Sequence, residues 1–378
     1  MSDHRPVGTL GGSATPLAES FDVALLDLDG VIYRGADPVP RAAEALQAAR
    51  DAGMRLAFVT NNALRPPDAV AEKLNGMDVP ADVDDVVTSA QAAARMLAER
   101  LDEGSRVLVT GGAGLRQAVA ERGLVPVDGA DDDPAAVVQG YDPELTYARL
   151  CEAALAIRAG RLWIASNLDS TVPAERGLLP GAGSFVALLR TATDRAPLVA
   201  GKPERALHEE SIRRTGAERP LVVGDRLDTD IEGAVRAGTP SLLVLTGVVD
   251  AAAAVAAPAG QRPTFLGADL RALLQPAPDV HVEASSAVVE ARCGAWCCRA
   301  EAGALSWHND ADPDANTDAN PDANPDAKTD AKTDADDGLD PLRAACAAAW
   351  AAADAGNEVR SVEGDVPESC RGLFADDC

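Results

Sequence analysis

Two aspartates, Asp27 and Asp29, follow a short apolar run from Val23 to Leu26. A continuous apolar run of this length is typical of a strand covered on both faces, as in a parallel sheet. The aspartates then fall at the carboxyl end of the strand, where open α/β sheets bind their ligands. Because side chains at i and i+2 of a strand point the same way, both carboxylates can face one ligand. A cation or a shared proton would relieve the repulsion between the two carboxylates. The alternative to a ligand site is a solvated turn at the strand end, since Asp and Gly are ordinary turn residues.

Polar side chains also stand at the ends of three later predicted strands. Thr60 and Asn61 follow one apolar run, Lys202 follows another, and Asp225 and Asp230 follow a third. The carboxyl ends of parallel strands meet at one edge of a sheet, so we expect these groups to lie close together. Together they form the set that phosphoryl transfer from a monoester requires, which is mainly positioning and charge neutralisation.

Each residue type in this set suits one part of that reaction. The carboxylates of Asp27 and Asp225 are hard oxygen ligands for a cation such as Mg²⁺. Lys202 can hold a phosphate as a point charge, and the Thr60 hydroxyl can hydrogen-bond a phosphate oxygen, as can backbone amides at a helix start. With the cation present, one aspartate can attack while the other handles protons.

The overall composition limits the partners of the chain. Its formal charge of −26 and pI of about 4.4 argue against binding nucleic acid or an anionic membrane through general electrostatics. No stretch approaches the roughly 18 uninterrupted apolar residues of a membrane helix, and residues 1–20 lack the apolar core of a signal peptide. Seven cysteines, an odd number, are simplest to explain in a reduced cytoplasmic protein.

Strand and helix patterns alternate up to about Leu274, which predicts an α/β fold with a parallel sheet. The glycine run from Thr110 to Gly114 does not fit GxGxxG, so a plain strand-to-helix turn is favoured over a dinucleotide site. A long irregular segment, Ser166 to Gly183, is predicted to be functional or mobile.

The sequence changes character beyond Pro276. Residues 280–292 and 295–300 are predicted to form a β-hairpin, and a helix is predicted to start at Asp340-Pro341. Between them, residues 310–340 hold eleven Asp and two Lys in a four-residue repeat, which predicts disorder. A solvated linker is favoured over a calcium site, because the repeat lacks the glycine and the terminal glutamate of an EF-hand loop. Three cysteines, Cys293, Cys297 and Cys298, lie close together in the sequence. They could bind a metal, although the favoured interpretation is surface or core thiols in a hairpin.

Four segments, DLDGV, TNN, GKP and GDRLDTD, occur in this order and resemble the four motifs of the haloacid dehalogenase-like phosphatases. The longer forms DLDGVIYRG and VGDRLDTDI resemble the 4-nitrophenylphosphatase (NagD-type) branch. The resemblance implies a Rossmann-like parallel-sheet core with an inserted α/β cap that closes over the site and selects the leaving group.

The resemblance covers residues 20–275 and divides the chain. The core is expected from residues 20–85 and 195–275, and the cap from residues 86–194. Residues 276–309 and 339–360 would form a small C-terminal appendage. Disorder is expected for residues 1–19 and for the Asp-rich segment 310–338.

The same resemblance implies roles for individual residues. Asp27 would be the nucleophile that becomes an aspartyl phosphate, and Asp29 would protonate the leaving alcohol and then activate water. Thr60, Asn61 and Lys202 would bind the substrate phosphate.

The resemblance also implies a Mg²⁺ site. Its expected ligands are Asp27, the backbone carbonyl of Asp29 and Asp225, with Asp230 in support. The loop from Asn167 to Thr171, with the nearby Gly181 and Gly183, resembles a recurring family segment, and it could either touch substrate or only shape the cap.

The expected function is Mg²⁺-dependent hydrolysis of a small phosphomonoester. Resemblance to actinobacterial enzymes favours glycerol 3-phosphate, while phosphoglycolate, pyridoxal phosphate, nucleoside monophosphates and aryl phosphates are the alternatives. A phosphotransferase or mutase would use the same core, and a non-enzymatic sensor of a phosphometabolite is the hypothesis from another class. A homo-oligomer formed through the cap is a further option. No nucleic acid or membrane partner is expected.

Overall fold

The computed structural model describes residues 8–174, 176–285, 287–310 and 337–373. Its strands, in chain order, are β1 Val23–Leu26, β2 Tyr33–Arg34, β3 Asp37–Pro38, β4 Arg55–Thr60, β5 Val86–Thr88, β6 Arg106–Thr110, β7 Val125–Val127, β8 Ala136–Gln139, β9 Leu162–Ala165, β10 Thr171–Ala174, β11 Gly177–Pro180, β12 Leu198–Val199, β13 Pro220–Gly224, β14 Ser241–Val244, β15 Phe265–Gly267, β16 Val280–Ala284, β17 Val288–Cys293, β18 Trp296–Glu301, β19 Ala304–Asn309 and β20 Ser361–Val362. Its α-helices are α1 Leu17–Ser20, α2 Ala42–Asp51, α3 Pro67–Asn75, α4 Ser89–Ala98, α5 Ala113–Glu121, α6 Tyr147–Arg158, α7 Ala182–Thr193, α8 Arg205–Thr215, α9 Glu232–Ala237, α10 Ala251–Val255 and α11 Asp340–Asp354.

A six-stranded parallel sheet, in the order β15-β14-β13-β1-β4-β5, lies in the predicted core region. Every residue of β1 is buried. Ala24 and Leu26 enter one apolar cluster while Val23 and Leu25 enter another, so the strand is covered on both faces. This confirms the α/β class and the parallel-sheet position that the apolar run predicted.

A second parallel sheet, in the order β12-β9-β8-β6-β7, lies in the predicted cap region. Its Val107 and Val109 share an apolar cluster with Val23 and Leu25 of the core, so the two sheets are packed together through apolar side chains. The sheet pairings run across the predicted boundaries, because β5 pairs with β4 of the core and β12 pairs with β9 of the second sheet. The division into core and cap stays a prediction, and these pairings would assign β5 to the core and β12 to the cap.

The glycine run after β6 is a tight strand-to-helix turn, as predicted, with Gly112 preceding α5. A Cβ at Gly114 would fall 2.7 Å from the backbone of Arg65, and one at Gly112 would fall 2.4 Å from Leu64. The glycines therefore let α5 approach the loop that follows β4.

The predicted C-terminal hairpin is wrong in extent, because this region contains a five-stranded sheet in the order β16-β17-β18-β19-β20. The segment predicted as one strand from 280 to 292 is two strands, β16 and β17, with a turn at Ser285. The hydroxyl and the amide of Ser285 both donate to the carbonyl of Val288. The helix that begins at Asp340 was predicted and packs on this sheet. We name residues 280–310 and 337–373 the C-terminal unit, which extends past the predicted end at 360.

The predicted disorder of residues 1–19 is wrong for residues 8–19, while residues 1–7 lie outside the described ranges. Leu10 and Leu17 are buried, and backbone amides of Gly11 and Ser13 donate to carbonyls of Thr264 and Ala277, both at 2.9 Å. This segment gains its order from distant partners, and its own Gly, Ser and Pro content gives no local periodicity. The disorder predicted for 310–338 falls mainly on residues outside the described part of the chain. No helix among the described residues is long and apolar enough to cross a bilayer.

One buried histidine in the core couples stability to pH. His208 on α8 is 1% exposed, and neither ring nitrogen has a hydrogen-bond partner among the described residues. It packs on Gly233 of α9, where a Cβ would lie 2.5 Å from Nε2. Burial, followed by the nearby charge of Lys202, lowers the pKa of His208 to about 3. The ring therefore stays neutral in the folded protein under conditions in which an unfolded chain would protonate it.

We predict that the free energy of unfolding falls by about 1.4 kcal/mol between pH 7.5 and 5.5 because of His208 alone. The unfolded histidine binds a proton below its ordinary pKa of 6.5 while the folded one, with a pKa near 3, does not, so acid favours unfolding. Urea unfolding of wild type and His208→Leu at both pH values measures this difference. Equal pH dependence in the two proteins would contradict the prediction.

Candidate active site

Adjacent strands of the core sheet bring the predicted residues to one edge. Asp27 follows β1, and its amide donates to the carbonyl of Val223 at 2.9 Å. Asp225 follows the neighbouring β13, and Thr60 ends β4 on the other side of β1. The order β13-β1-β4 therefore places all three at the carboxyl edge of the sheet, as predicted.

Three carboxylates converge at this edge. One oxygen from each of Asp27, Asp225 and Asp230 lies within 4.8 Å of the others, and Asp225 and Asp230 are buried. The Lys202 ammonium donates to Asp27 and, at 2.7 Å, to Asp230. Lys202 thus faces three largely buried carboxylates, and the group retains an unbalanced negative charge when all three are ionised.

The pKa shifts follow from this crowding. Burial, followed by repulsion from Asp230 and Asp225, raises the pKa of Asp27 well above its usual range although Lys202 opposes the shift. Burial and repulsion from Asp230 raise the pKa of Asp225 to about 6. Burial alone would lower the pKa of Lys202, but Asp230 and Asp27 raise it above its usual value. Additional positive charge in the pocket would return the aspartates to their ionised form.

The donor set fits a hard divalent cation. Oδ2 of Asp225 accepts from the amide of Val248 at 2.8 Å, whereas its buried Oδ1 has no hydrogen-bond partner within the described ranges. A buried carboxylate oxygen without a partner is unfavourable unless it binds an ion or water. Oxygen ligands from carboxylates are those that Mg²⁺ prefers in proteins, so Asp27, Asp225 and Asp230 are the residues that could hold it.

Asp29 lies apart from this group. Its side chain is exposed, and its Oδ1 accepts from the amide of Gly35 at 3.4 Å. The strand ends at Leu26, so the i, i+2 alternation does not carry through to Asp29, and the chain instead turns at Gly30 with a φ of +85°. Asp29 is not among the three converging carboxylates, and the meeting of Asp27 and Asp29 at one ligand stays a prediction. We name the solvent-facing side of the acidic group the mouth of the site, and an exposed carboxylate there is suited to proton exchange.

The side chain of Asn61 bonds to protein groups next to the acidic group, and its predicted contact with phosphate stays a prediction. Its Oδ1 accepts from the backbone amide of Lys202 at 2.7 Å, and its Nδ2 donates to the Lys202 carbonyl at 3.2 Å. Nδ2 also donates to both carboxylate oxygens of Asp169, at 3.2 and 3.3 Å. The amide side chain is thus committed to protein partners. It positions Lys202, and a phosphate contact from its side chain would have to replace one of these bonds.

The loop that could have touched substrate or shaped the cap meets the core at Asn61. Asn167 donates from Nδ2 to the Asn61 carbonyl at 2.7 Å, and Asp169 accepts from the Asn61 side chain. Burial raises the pKa of Asp169 above its usual value. A Cβ at Gly183 would fall 2.1 Å from the Leu168 carbonyl, which explains why small residues start α7. We name Asn61, Asn167 and Asp169 the mouth clasp.

Cations near the mouth were missed by the sequence analysis. Lys73 on α3 lies 3.3 Å above the ring of Tyr33 and donates to the Gly35 carbonyl at 3.1 Å. Burial, to which the charge of Arg65 adds and which Asp29 opposes, lowers the pKa of Lys73. Lys73 and Arg65 thus place positive charge near Asp29 in a chain whose net charge is −26. Nothing in the sequence marks them, since Lys73 lies on an ordinary helix surface.

The metal interpretation of the cysteine cluster finds no support. Cys293 and Cys298 enter the apolar cluster beneath α11, whereas Cys297 pairs with Arg292 on the opposite face of the sheet. Apart from the acidic group, no set of three or more His, Cys, Asp or Glu ligands converges anywhere in the described residues. The thiols are core and sheet residues, which was the favoured interpretation.

Two family models match the chain. A model of haloacid dehalogenase-like hydrolases matches residues 24–125, and a second model of related hydrolases matches residues 199–273. The matched segments contain all the predicted site residues.

Relatives and solved structures agree with these matches. The chain is 52% identical over 259 residues to D-glycerol 3-phosphate phosphatase from Mycobacterium tuberculosis, covering 68% of this chain and 72% of the relative. A crystal structure of glycerol phosphate phosphatase from the same organism, in complex with magnesium, aligns with a TM-score of 0.80 and 43% identity over 94% of this chain and 97% of that one. The p-nitrophenyl phosphatase from Archaeoglobus fulgidus aligns with a TM-score of 0.63 and 28% identity over 67% of this chain and 98% of that one.

We predict that Asn61→Ala lowers the rate of phosphate release from a phosphomonoester by at least about tenfold, because several hydrogen bonds that hold Lys202 and the cap loop are lost. Asn62→Ala is the matched control, since the Asn62 side chain accepts only the local amide of Leu64 at 2.8 Å among the bonds described. The control should stay within about threefold of wild type. Equal loss in both variants would contradict the positioning role of Asn61.

Proposed function

Because this chain belongs to the haloacid dehalogenase-like hydrolases, we propose that it hydrolyses small phosphomonoesters through an aspartyl phosphate. The observation that carries the proposal is the convergence of Asp27, Asp225 and Asp230 around Lys202 at the carboxyl edge of the core sheet. The name of the mycobacterial relative supports D-glycerol 3-phosphate as the preferred substrate.

In the first step, a carboxylate oxygen of Asp27 attacks the phosphorus atom. A bond forms between that oxygen and phosphorus while the bond from phosphorus to the leaving alcohol breaks. Asp29, at the mouth, donates its proton to the leaving oxygen. The free alcohol then leaves, and Asp27 carries the phosphoryl group.

In the second step, water attacks the aspartyl phosphate. Asp29, now a carboxylate, takes a proton from the water, whose oxygen bonds to phosphorus as the bond to Asp27 breaks. Inorganic phosphate leaves, Asp27 returns as a carboxylate and Asp29 is protonated again. Each residue ends the cycle in its starting state, so water is the only co-reactant.

Lys202 and Thr60 are proposed to hold the phosphate during both steps. Lys202 is 4% exposed and already bridges Asp27 and Asp230, so its charge faces the place where the phosphoryl group is transferred. Asp27, the backbone carbonyl of Asp29 and Asp225 would hold Mg²⁺, with Asp230 in support. When bound, this ion neutralises negative charge on the carboxylates and on the phosphoryl oxygens.

The second sheet with its helices is proposed to act as the cap that covers the leaving group. The mouth clasp supports this, because it links a loop of the cap to the residue that positions Lys202.

Self-association through the cap is proposed as an option, and exposed apolar side chains on its elements, among them Tyr147 and Leu178, support it. A cytoplasmic location is proposed because the six described cysteines are all free thiols.

We predict that Asp27→Asn reduces phosphate release by roughly 10⁴-fold or more, because the amide cannot form the covalent intermediate. The control is Asp37→Asn, an exposed aspartate of β3 near the mouth, which should retain wild-type turnover. Circular dichroism should show that both variants are folded. Wild-type turnover in Asp27→Asn would refute the mechanism.

We predict that a phosphate-release screen with Mg²⁺ ranks glycerol 3-phosphate above phosphoglycolate, pyridoxal phosphate, nucleoside monophosphates and aryl phosphates. Chelation with EDTA should abolish release because the acidic group then lacks its counter-charge, and excess Mg²⁺ should restore it. Turnover of phosphoglycolate more than about tenfold better than that of glycerol 3-phosphate would reject the substrate preference. Release that depends on an added alcohol acceptor would instead indicate a phosphotransferase.

A further inference from the structure

The C-terminal unit and the core share one apolar cluster. Leu342, Cys346 and Trp350 on the inner face of α11 belong to the same buried cluster as Val249 and Val255 of the core. The eleven buried residues of α11 are more than one sheet face could cover, and the helix lies between the C-terminal sheet and the core. The cluster therefore extends without interruption from the appendage toward the catalytic edge.

Polar contacts, most of them buried, fix this packing in one register. The Trp350 indole donates from Nε1 to the carbonyl of Ala254 in α10 at 3.1 Å. Arg262 of the core is 5% exposed and binds both carboxylate oxygens of Asp354, at 2.9 and 2.7 Å. Arg343 of α11 donates to the carbonyl of Leu266 in β15 at 2.6 Å. Directional bonds to buried partners set the position of α11 relative to α10 more sharply than apolar contact alone.

The segment that leads into α10 holds the carboxylate of Asp225. The amide of Val248 donates to Asp225 Oδ2 at 2.8 Å, and the amide of Val249 donates to the Asp225 carbonyl at 3.3 Å. A Cβ at Gly247 would lie only 1.8 Å from Oδ2, so this segment is in direct contact with the acid. These contacts fix Oδ2. The other carboxylate oxygen, Oδ1, has no hydrogen-bond partner in the described chain and is left available to a cation.

A second contact between the C-terminal unit and the acidic group runs through the turn that carries Asp230. Leu227 and Ile231, which flank Asp230 on that turn, belong to the same apolar cluster as α11. Asp225 and Asp230, the two candidate metal ligands that follow β13, therefore both lie against an apolar cluster that the C-terminal unit completes.

We propose that the C-terminal unit is a positioning element for the divalent-cation site, and that Trp350 is a positioning residue acting through α10 on Asp225. This inference rests on the proposed function, since it assigns a role toward the cation that Asp225 would hold. Residues outside the ligand shell that fix the orientation of a ligand commonly change metal affinity. Here the orienting contacts come from a part of the chain that is distant in sequence.

The test compares two tryptophans of the C-terminal unit in the full-length protein. Trp350→Phe removes the bond to Ala254 and keeps an aromatic side chain, while Trp307→Phe removes the 3.1 Å bond from Trp307 to the Pro341 carbonyl, which stays within the unit. Calorimetric titration with Mg²⁺ should show a Kd raised by about fivefold in Trp350→Phe and by less than about twofold in Trp307→Phe. The KM for substrate at saturating Mg²⁺ should stay within about twofold in both.

Hydrogen exchange without metal supplies an independent measurement. Amides of residues 246–250 should exchange faster in Trp350→Phe than in wild type, and at the wild-type rate in Trp307→Phe. If Trp350→Phe does not fold, Asp354→Asn takes its place, because Asp354 is 59% exposed and its loss weakens only the Arg262 contact. It should shift both measurements in the same direction.

The outcomes separate this inference from the proposed function. Wild type that binds Mg²⁺, together with unchanged affinity and exchange in Trp350→Phe, overturns the positioning role alone. Equal weakening of Mg²⁺ binding in both tryptophan variants also overturns it, since the effect would then be general loosening. Wild type that binds no Mg²⁺ and releases no phosphate refutes the proposed function and this inference with it.

Discussion

Repulsion among three carboxylates is the constraint on which this site depends. Asp27, Asp225 and Asp230 are held within 4.8 Å of one another where burial strengthens every charge interaction. Lys202 compensates part of that charge, while burial, followed by repulsion from the neighbouring carboxylates, raises the pKa values of Asp27 and Asp225. A group of three carboxylates beside one lysine, with a buried Asp225 oxygen that has no hydrogen-bond partner in the described part of the chain, is suited to receive positive charge.

The backbone, more than side-chain packing, fixes these carboxylates. A Cβ at Gly30 would lie 2.3 Å from Asp225 Oδ2, and one at Gly224 would lie 2.2 Å from the Asp230 Cβ. Gly247 closes on Asp225 from another side, and only glycine permits all three approaches. The acids are thus confined between main-chain segments that end three different strands. Such confinement keeps the geometry in place despite the repulsion, which is the form of preorganisation that phosphoryl transfer uses.

Sequence patterns predicted the catalytic edge well because its determinants are local. Each strand end is marked by an apolar run followed by a polar residue, and the four motifs led to a family membership that the matching models confirm. The structure also brings Lys202 to Asp27 and Asp230, as their positions after predicted strands indicated. The role of Asn61 could not be predicted in this way, because its partners Lys202 and Asp169 are distant in sequence.

The same reason explains the other differences. The order of residues 8–19 depends on carbonyls of Thr264 and Ala277, and that of β20 depends on pairing with β19. Neither contact leaves a periodic signal in its own segment. The C-terminal sheet was underestimated since alternation within short strands does not reveal how many strands pair. Long-range hydrogen bonding, and not local propensity, decides these elements.

The interface between the two parallel sheets is chemically uneven. The sheets share an apolar cluster that includes Val23 and Leu25 of β1 together with Val107 of β6. Next to Lys202, by contrast, the clasp residues join the core to the second sheet's loop through hydrogen bonds. Each such hydrogen bond contributes only about 1 kcal/mol, because it replaces a bond to water, whereas buried apolar area contributes about 25 cal/mol per Å². The apolar cluster therefore holds the sheets together, while the clasp mainly orients the side chains beside Lys202.

The mouth clasp also bears on Lys202, the residue proposed to bind phosphate. The Asn61 side chain holds the backbone of Lys202 on both sides, accepting from its amide and donating to its carbonyl. The same side chain donates to Asp169 of the loop from Asn167 to Thr171, so this loop restrains Asn61 and, through it, Lys202. The position of the lysine and the contact between the loop and the core are in this way linked through one amide side chain.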